Sequence, residues 1–209
     1  MKFYDCATAP SPRRVRMFIA EKALEIPTIE VCLASGEQHG EAFGQLNPFR
    51  TVPALELDDG TVLNTTSGIC HYLEALHPTP ALMGEDAAQR GRVADLEWRI
   101  EQEGFLAVGE SFRNRSKAFK NNALTGAKEY AQISELVDRG RTRAEFFMRW
   151  LDGQLLEREF VSGDQFTIAD ITAFVTLEFA KWIKLEPEVG LSNLHRWYLA
   201  VAARESAKL

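Results

Sequence analysis

The hydrophobic period changes once along this chain, near residue 80. Before that point short alternating runs mix with helical stretches, and after it apolar residues recur only at helical spacing. Residues 2–5 (KFYD) read as a strand, and Thr28 to Leu33 alternates with Ile29, Val31 and Leu33 on one face. Val52 to Leu57 and Thr61 to Leu63 flank Asp58-Asp59-Gly60. Asp-Gly between alternating runs predicts a hairpin, because tight hairpin turns need the positive φ that glycine adopts freely. Val15, Phe18, Ile19 and Ala23 predict a helix from about Pro12 to Leu24, and Glu41 to Gln45 a short one. Ile69, Leu73 and Leu76 predict a third, stopped by His77-Pro78. This order is β-α-β followed by a hairpin and a helix.

Thr79 to Glu85, with Pro80 and Gly84, reads as a linker. Val93, Leu96, Ile100, Phe105, Val108 and Phe112 then mark a long helix broken near Gly104. Phe146, Phe147, Trp150, Leu151 and Leu155 mark the next. Ile168, Ile171, Val175, Phe179 and Trp182 mark one that is apolar almost all round, which predicts burial. Leu194, Trp197, Tyr198 and Val201 mark the last, and the polar stretch 114–133 reads as an irregular connection or a short helix. The expected layout is an α/β domain over 1–78, a linker over 79–88 and an all-α helical bundle over 89–209.

A chain of 209 residues with 45% hydrophobic content can bury ample core. No apolar run is long enough to span a membrane and Met1 to Asp5 does not read as a secretory signal, so a cytoplasmic protein is expected. A net charge of −6 argues against nucleic acid as a partner. The one basic cluster, Arg13, Arg14 and Arg16, reads as a solvated helix face, with a small anion rather than a duplex as the alternative should it be functional. Cys6, Cys32 and Cys70 are scattered and the four histidines lack ligand spacing, so neither a metal site nor a disulfide framework is expected.

Four short stretches carry candidate chemistry. In "FTIAD", Thr167 can cap a helix while Asp170 reaches back to the Thr167 N–H, with Phe166 positioned to staple against Ile171. That reading is structural, with Asp170 as a catalytic acid the sharper alternative. Val52-Pro53 puts proline at the head of a strand, where it cannot donate to the ladder. If the bond is cis, Val52 offers both backbone groups to a peptide-like ligand. A trans proline at an edge strand is the plainer alternative. "TVLNTTSG" sets Thr65, Thr66 and Ser67 at a helix start, where hydroxyls and free N–H groups suit a carboxylate or simply cap the helix. "ATAPSPRRVR" does the same with Thr8 and Ser11 just before the first helix.

The string "LNPFRTVPALELDDGTVLNTTSGICHYLEALHP", followed at the right spacing by "GDQFTIADITAF", resembles the glutathione S-transferase family over essentially the whole chain, in its cytosolic, bacterial-type, theta- or nu-like form. The resemblance implies a thioredoxin-like N-terminal domain, a helical C-terminal domain, a homodimer, and glutathione as co-substrate with a small hydrophobic electrophile. It implies that Pro53 is cis and that Val52 pairs its backbone with the cysteinyl part of glutathione. Thr66 keeps the hydroxyl expected to meet the γ-glutamyl carboxylate, while Thr65 stands where the family usually has an acid. His39 is a candidate for the glycyl carboxylate. Arg50-Thr51 replaces the usual Gly-Gln or Gly-Lys, and Arg50 either takes an anionic contact or points into solvent. Ser11 is the candidate to activate the thiol, Thr8 the second, and Ala9 could offer only its backbone. Thr8, Phe105, Val108 and Phe112 are the expected co-substrate contacts, with core packing the alternative for the last three.

The function implied is conjugation of glutathione to an electrophilic carbon in a detoxification role. Two further readings stay open: glutathione-dependent peroxide or thiol reduction, and a non-catalytic binding protein on the same fold.

Overall fold

Strand β1 (Lys2–Asp5) is central to a four-stranded sheet of order β2-β1-β3-β4, with β2 at Thr28–Glu30, β3 at Ala54–Glu56 and β4 at Val62–Leu63. The computed structural model describes all 209 residues. β1 runs parallel to β2, with Phe3 opposite Thr28, and antiparallel to β3, where Phe3 faces Leu55. Phe3 and Leu55 are both fully buried, so this pair fixes the register from the core side. The β3–β4 hairpin turns at Gly60, which has φ +85°, while the Asp59 carboxylate accepts the Thr61 N–H at 2.8 Å.

Helices α1 (Pro10–Glu21) and α3 (Thr66–Leu76) pack side by side through Val15, Phe18, Ile69 and Leu73. A short α2 spans Glu41–Leu46. Three local expectations change. α1 begins at Pro10 rather than Pro12, because proline presets the helical φ and its missing N–H is unneeded in a first turn. Ser11 is therefore inside the helix, not ahead of it. β2 stops at Glu30 because the Cys32 N–H goes to the Glu37 carboxylate at 2.8 Å, closing a turn at Gly36 instead of extending the ladder.

The basic cluster is not a solvated face. Arg14 is only 3% exposed, and Arg16 pairs with the buried Asp5 at 2.6 Å. At the far end of α1 the Lys22 ammonium, with no exposed side-chain surface, pairs with Glu74 and donates to the carbonyls of His77, at 2.8 Å, and Pro80.

The second half is helical: α4 (Ala87–Arg99), α5 (Leu106–Arg115), α6 (Glu135–Gln154), α7 (Ile168–Ala180) and α8 (Ser192–Ala202). The expected break near Gly104 is a π-helical turn over Ile100–Phe105 that joins α4 to α5. A Cβ on Gly104 would lie 2.8 Å from the Phe147 ring, so the turn admits that ring against bare backbone. Twelve of the thirteen residues of α7 are buried, as its apolar surround predicts. Asp170 lies among them. Its two oxygens accept from Val161 N–H, Trp197 Nε1–H, and the N–H and hydroxyl of Thr167, at 2.8–3.1 Å.

By packing, the chain divides into two compact units. One comprises residues 1–80 with 124–129 and 209, the other residues 81–123 and 130–208.

Candidate functional site

The Val52-Pro53 peptide is cis. Pro53 is buried, β3 starts only at Ala54, and Val52 makes no hydrogen bond within the chain. Its N–H and C=O are thus free to pair with an added extended peptide. The loop that presents Val52 is held by Asn47, a fully buried residue. Asn47 Nδ2 donates to the Thr51 carbonyl at 2.7 Å and to its hydroxyl at 3.3 Å, and Oδ1 accepts the Phe49 N–H at 3.0 Å. The same Oδ1 accepts from Asn64 Nδ2 at 3.3 Å, which ties the loop to the residues that open α3.

At that opening the two threonines have different roles. Thr65 caps α3, its hydroxyl accepting the Gly68 N–H at 3.0 Å. Gly68 permits this, since a Cβ there would lie 2.9 Å from the Thr65 oxygen. Thr66 is buried and bridges helices: its hydroxyl donates to the Ser11 carbonyl and accepts from Arg14 Nη2, each at 3.4 Å. The first turns of α1 and α3 therefore meet. Neither contains an acidic residue, so the partial positive charge of both helix starts is left uncancelled.

In the first turn of α1, Pro10 and Pro12 have no N–H to offer and Ala9 has no side chain to cap with. The half-buried Ser11 hydroxyl makes no hydrogen bond within the chain, so it is available to a ligand. Thr8 is exposed, with its hydroxyl 3.5 Å from the Cys6 sulfur. His39 is exposed in a 3₁₀ turn over Glu37–His39. Arg50, at φ +56°, is half-exposed. It folds over Gly44 and donates to the His39 carbonyl, linking that turn to the Val52 loop.

The helical unit accounts for the other expected contacts separately. Val108 is fully buried and Phe105 is 7% exposed, so both side chains are taken up by the helical core. Phe112 is half-buried at the centre of an aromatic cluster, with Phe119, Phe179 and Trp182 all 5.2–5.5 Å away between ring centres.

The family described as "Glutathione S-transferase, N-terminal domain" matches residues 8–76, and "Glutathione S-transferase, C-terminal domain" matches 134–200. Glutathione S-transferase 2 of Saccharomyces cerevisiae is 34% identical over 210 aligned residues, covering all of this chain and 88% of that one. The chain belongs to the glutathione S-transferase family. Among solved structures, a glutathione S-transferase domain-containing protein of Marinobacter aquaeolei VT8 superposes with a TM-score of 0.91 at 35% identity, covering 99% of each chain. Gtt2 from Saccharomyces cerevisiae gives 0.90 at 34% identity, over 100% of this chain and 99% of that one.

Two buried polar residues of this candidate site, Asn47 and Arg14, are not among the site residues nominated from sequence. A polar residue just before Pro48 is the one signal that points to Asn47, as a turn organiser. Arg14 is marked only as one of a basic cluster, and its contact with Thr66, 52 residues away, has no local sign. A groove of about 620 Å³ lies elsewhere on this unit, lined by Phe3, Ile19, Leu24 and Pro27, with none of the candidate residues in it. No helix is long and apolar enough to cross a membrane.

Proposed function

We propose that this member of the family conjugates the thiolate of glutathione to small hydrophobic electrophiles. The observation that carries the reading is Val52, free of the ladder and of internal hydrogen bonds, held in the same bonded framework as two acid-free helix starts. Val52 pairs with the cysteinyl backbone beside Pro53, and Thr66 with the γ-glutamyl carboxylate. Thr65 contributes its cap and no charge, so the γ-glutamyl amine loses a charge-assisted bond worth about 1.5–3 kcal/mol. His39 takes the glycyl carboxylate.

Ser11 is the proposed activator. A free thiol has a pKa near 8.5, and a donated hydroxyl bond at a helix start shifts it toward the nucleophilic thiolate. Of the apolar candidates, Phe112 has surface to offer within the helical unit, while Phe105 and Val108 support it from the core. Disulfide reduction is disfavoured because the stretch from Thr8 to Pro12 has no cysteine. A homodimer and a cytoplasmic, detoxifying role complete the reading.

Retention on immobilised glutathione, with chlorodinitrobenzene conjugation and cumene hydroperoxide reduction assayed side by side, tests it. Retention with conjugation that falls at least tenfold in Ser11→Ala is the expected result. Retention without turnover points to a binding protein, peroxide reduction alone to the peroxidase reading, and full activity in Ser11→Ala dismisses Ser11. Light scattering of the purified chain tests the dimer.

A further inference from the structure

We infer that Arg14 is a positioning residue for the anionic γ-glutamyl end of the co-substrate, acting through the Thr66 hydroxyl. The inference rests on the glutathione reading above and adds to it a group that does not touch the ligand.

A hydroxyl has one proton to give and two lone pairs to receive with. At Thr66 the Arg14 guanidinium occupies the receiving side, so the proton must point elsewhere, and it now points to the Ser11 carbonyl. Both contacts are 3.4 Å, long for hydrogen bonds, so the hydroxyl is loosely held and can turn to a stronger acceptor. A carboxylate arriving at the α3 start is such an acceptor. Arg14 then keeps the hydroxyl's donor side turned toward the anion. It also supplies a full positive charge behind it, where both first turns lack acids.

At 3% exposure the guanidinium is shielded from water, which weakens the field of a surface arginine by screening. It is also too deep to grip the ligand itself. A relay through Thr66 is what that depth allows. With no acid at Thr65, recognition in this chain leans on the carboxylate more than on the amine.

Calorimetric titration of the full chain tests this with two ligands: glutathione, and glutathione whose γ-glutamyl α-carboxylate is converted to the neutral amide. The parent should favour glutathione by about tenfold or more, the scale of one charge-assisted hydrogen bond. In Arg14→Met that preference should collapse toward unity, with KM for glutathione raised and kcat at saturation little changed. Arg14→Lys should restore part of it, which a packing role alone would not do. An Arg14→Met protein that folds and keeps the parent's preference overturns the inference, as does a parent that binds both ligands equally. If Arg14→Met does not fold, Thr66→Val carries the decision: it must lose the preference, and retention of it there overturns the relay. A parent that binds neither ligand overturns the glutathione reading itself, a result distinct from the others.

Discussion

Replacing Lys22 with methionine keeps the length and bulk of the side chain while removing its charge and all three of its N–H groups. Those groups are matched one for one in the native protein, by the Glu74 carboxylate and the carbonyls of His77 and Pro80. The Lys22 side chain has no exposed surface and that of Glu74 is 15% exposed, so the variant leaves a carboxylate largely desolvated without that cation. Removing one member of a buried pair typically costs about 3–5 kcal/mol, far more than an exposed pair is worth. For a chain of this length about 1 kcal/mol corresponds to roughly 2–4 °C in Tm, so a drop of about 10 °C is expected by calorimetry. Most of that cost lies with Glu74, and a double-mutant cycle isolates it. Lys22→Met combined with Glu74→Leu should recover at least about 1 kcal/mol over Lys22→Met alone, because the desolvated carboxylate is gone. A single variant within about 1 kcal/mol of the parent, or a double variant no better than the single, would falsify the argument. Lys22 also clamps the end of α1 to α3 and the turn beyond it, so glutathione affinity should fall in the single variant below its melting point.

Three further predictions concern packing, proton linkage and the Val52 loop. Burial pushes the Asp170 carboxyl up from the usual 3.8 to about 6, offset in part by its four donors. Between about pH 4 and 6 the native state therefore holds a proton that the unfolded chain releases, and this group's stabilisation is present at low pH and lost as pH rises through about 6. The stability deficit of Asp170→Asn relative to the parent should then grow by roughly 1–3 kcal/mol from about pH 7 to about pH 4, and a deficit that shrinks would refute the linkage. Gly140→Ala would bring a Cβ to 2.6 Å from the Ala107 carbonyl and 2.7 Å from the Ser111 nitrogen, both backbone atoms of α5. It should cost about 1–3 kcal/mol in chemical denaturation, whereas Gly91→Ala, in an open stretch of α4, should gain about 0.5–1 kcal/mol. Asn47→Ala should raise KM for glutathione about tenfold while leaving the far-ultraviolet circular dichroism unchanged, the scale of one lost anchoring bond at Val52. An unaltered KM would detach Asn47 from the site.

What the sequence discloses about this fold follows the range of the forces involved. The hairpin at Asp59-Gly60 and the cap at Asp170 use partners two or three residues apart, and the residue string alone makes both legible. The burial of α7 is legible too, because an apolar surround has no other stable setting. The face of α1 is not legible in this way. Arg14 and Arg16 carry the ordinary mark of a solvated stripe, and Lys22 does the same further along the helix. What buries Arg14 and Lys22 is Thr66 and the group Glu74, His77 and Pro80, all more than 50 residues away. Only the packing of α1 on α3 brings them together. The π-helical turn divides similarly. Gly104 hints at a break, but the ring that needs the space is Phe147, 43 residues later.

The same division runs through the site. Val52-Pro53, Thr66 and Ser11 can be nominated from short motifs, because each sits at the end of an element and such ends leave backbone groups unsatisfied. What joins them is a second set of residues that no motif marks. Asn47 fixes the Val52 loop and reaches Asn64, Thr66 reaches Ser11, and Arg14 braces Thr66 from below. On the proposed reading, substrate recognition is therefore most sensitive where a nominated residue depends on an unmarked one, which is the α1–α3 junction. There the helix cap is a threonine rather than an acid, and a buried arginine stands behind the next hydroxyl. A variant series that changes only the nominated residues would miss it, because Thr66→Val and Arg14→Met are expected to fail in the same way.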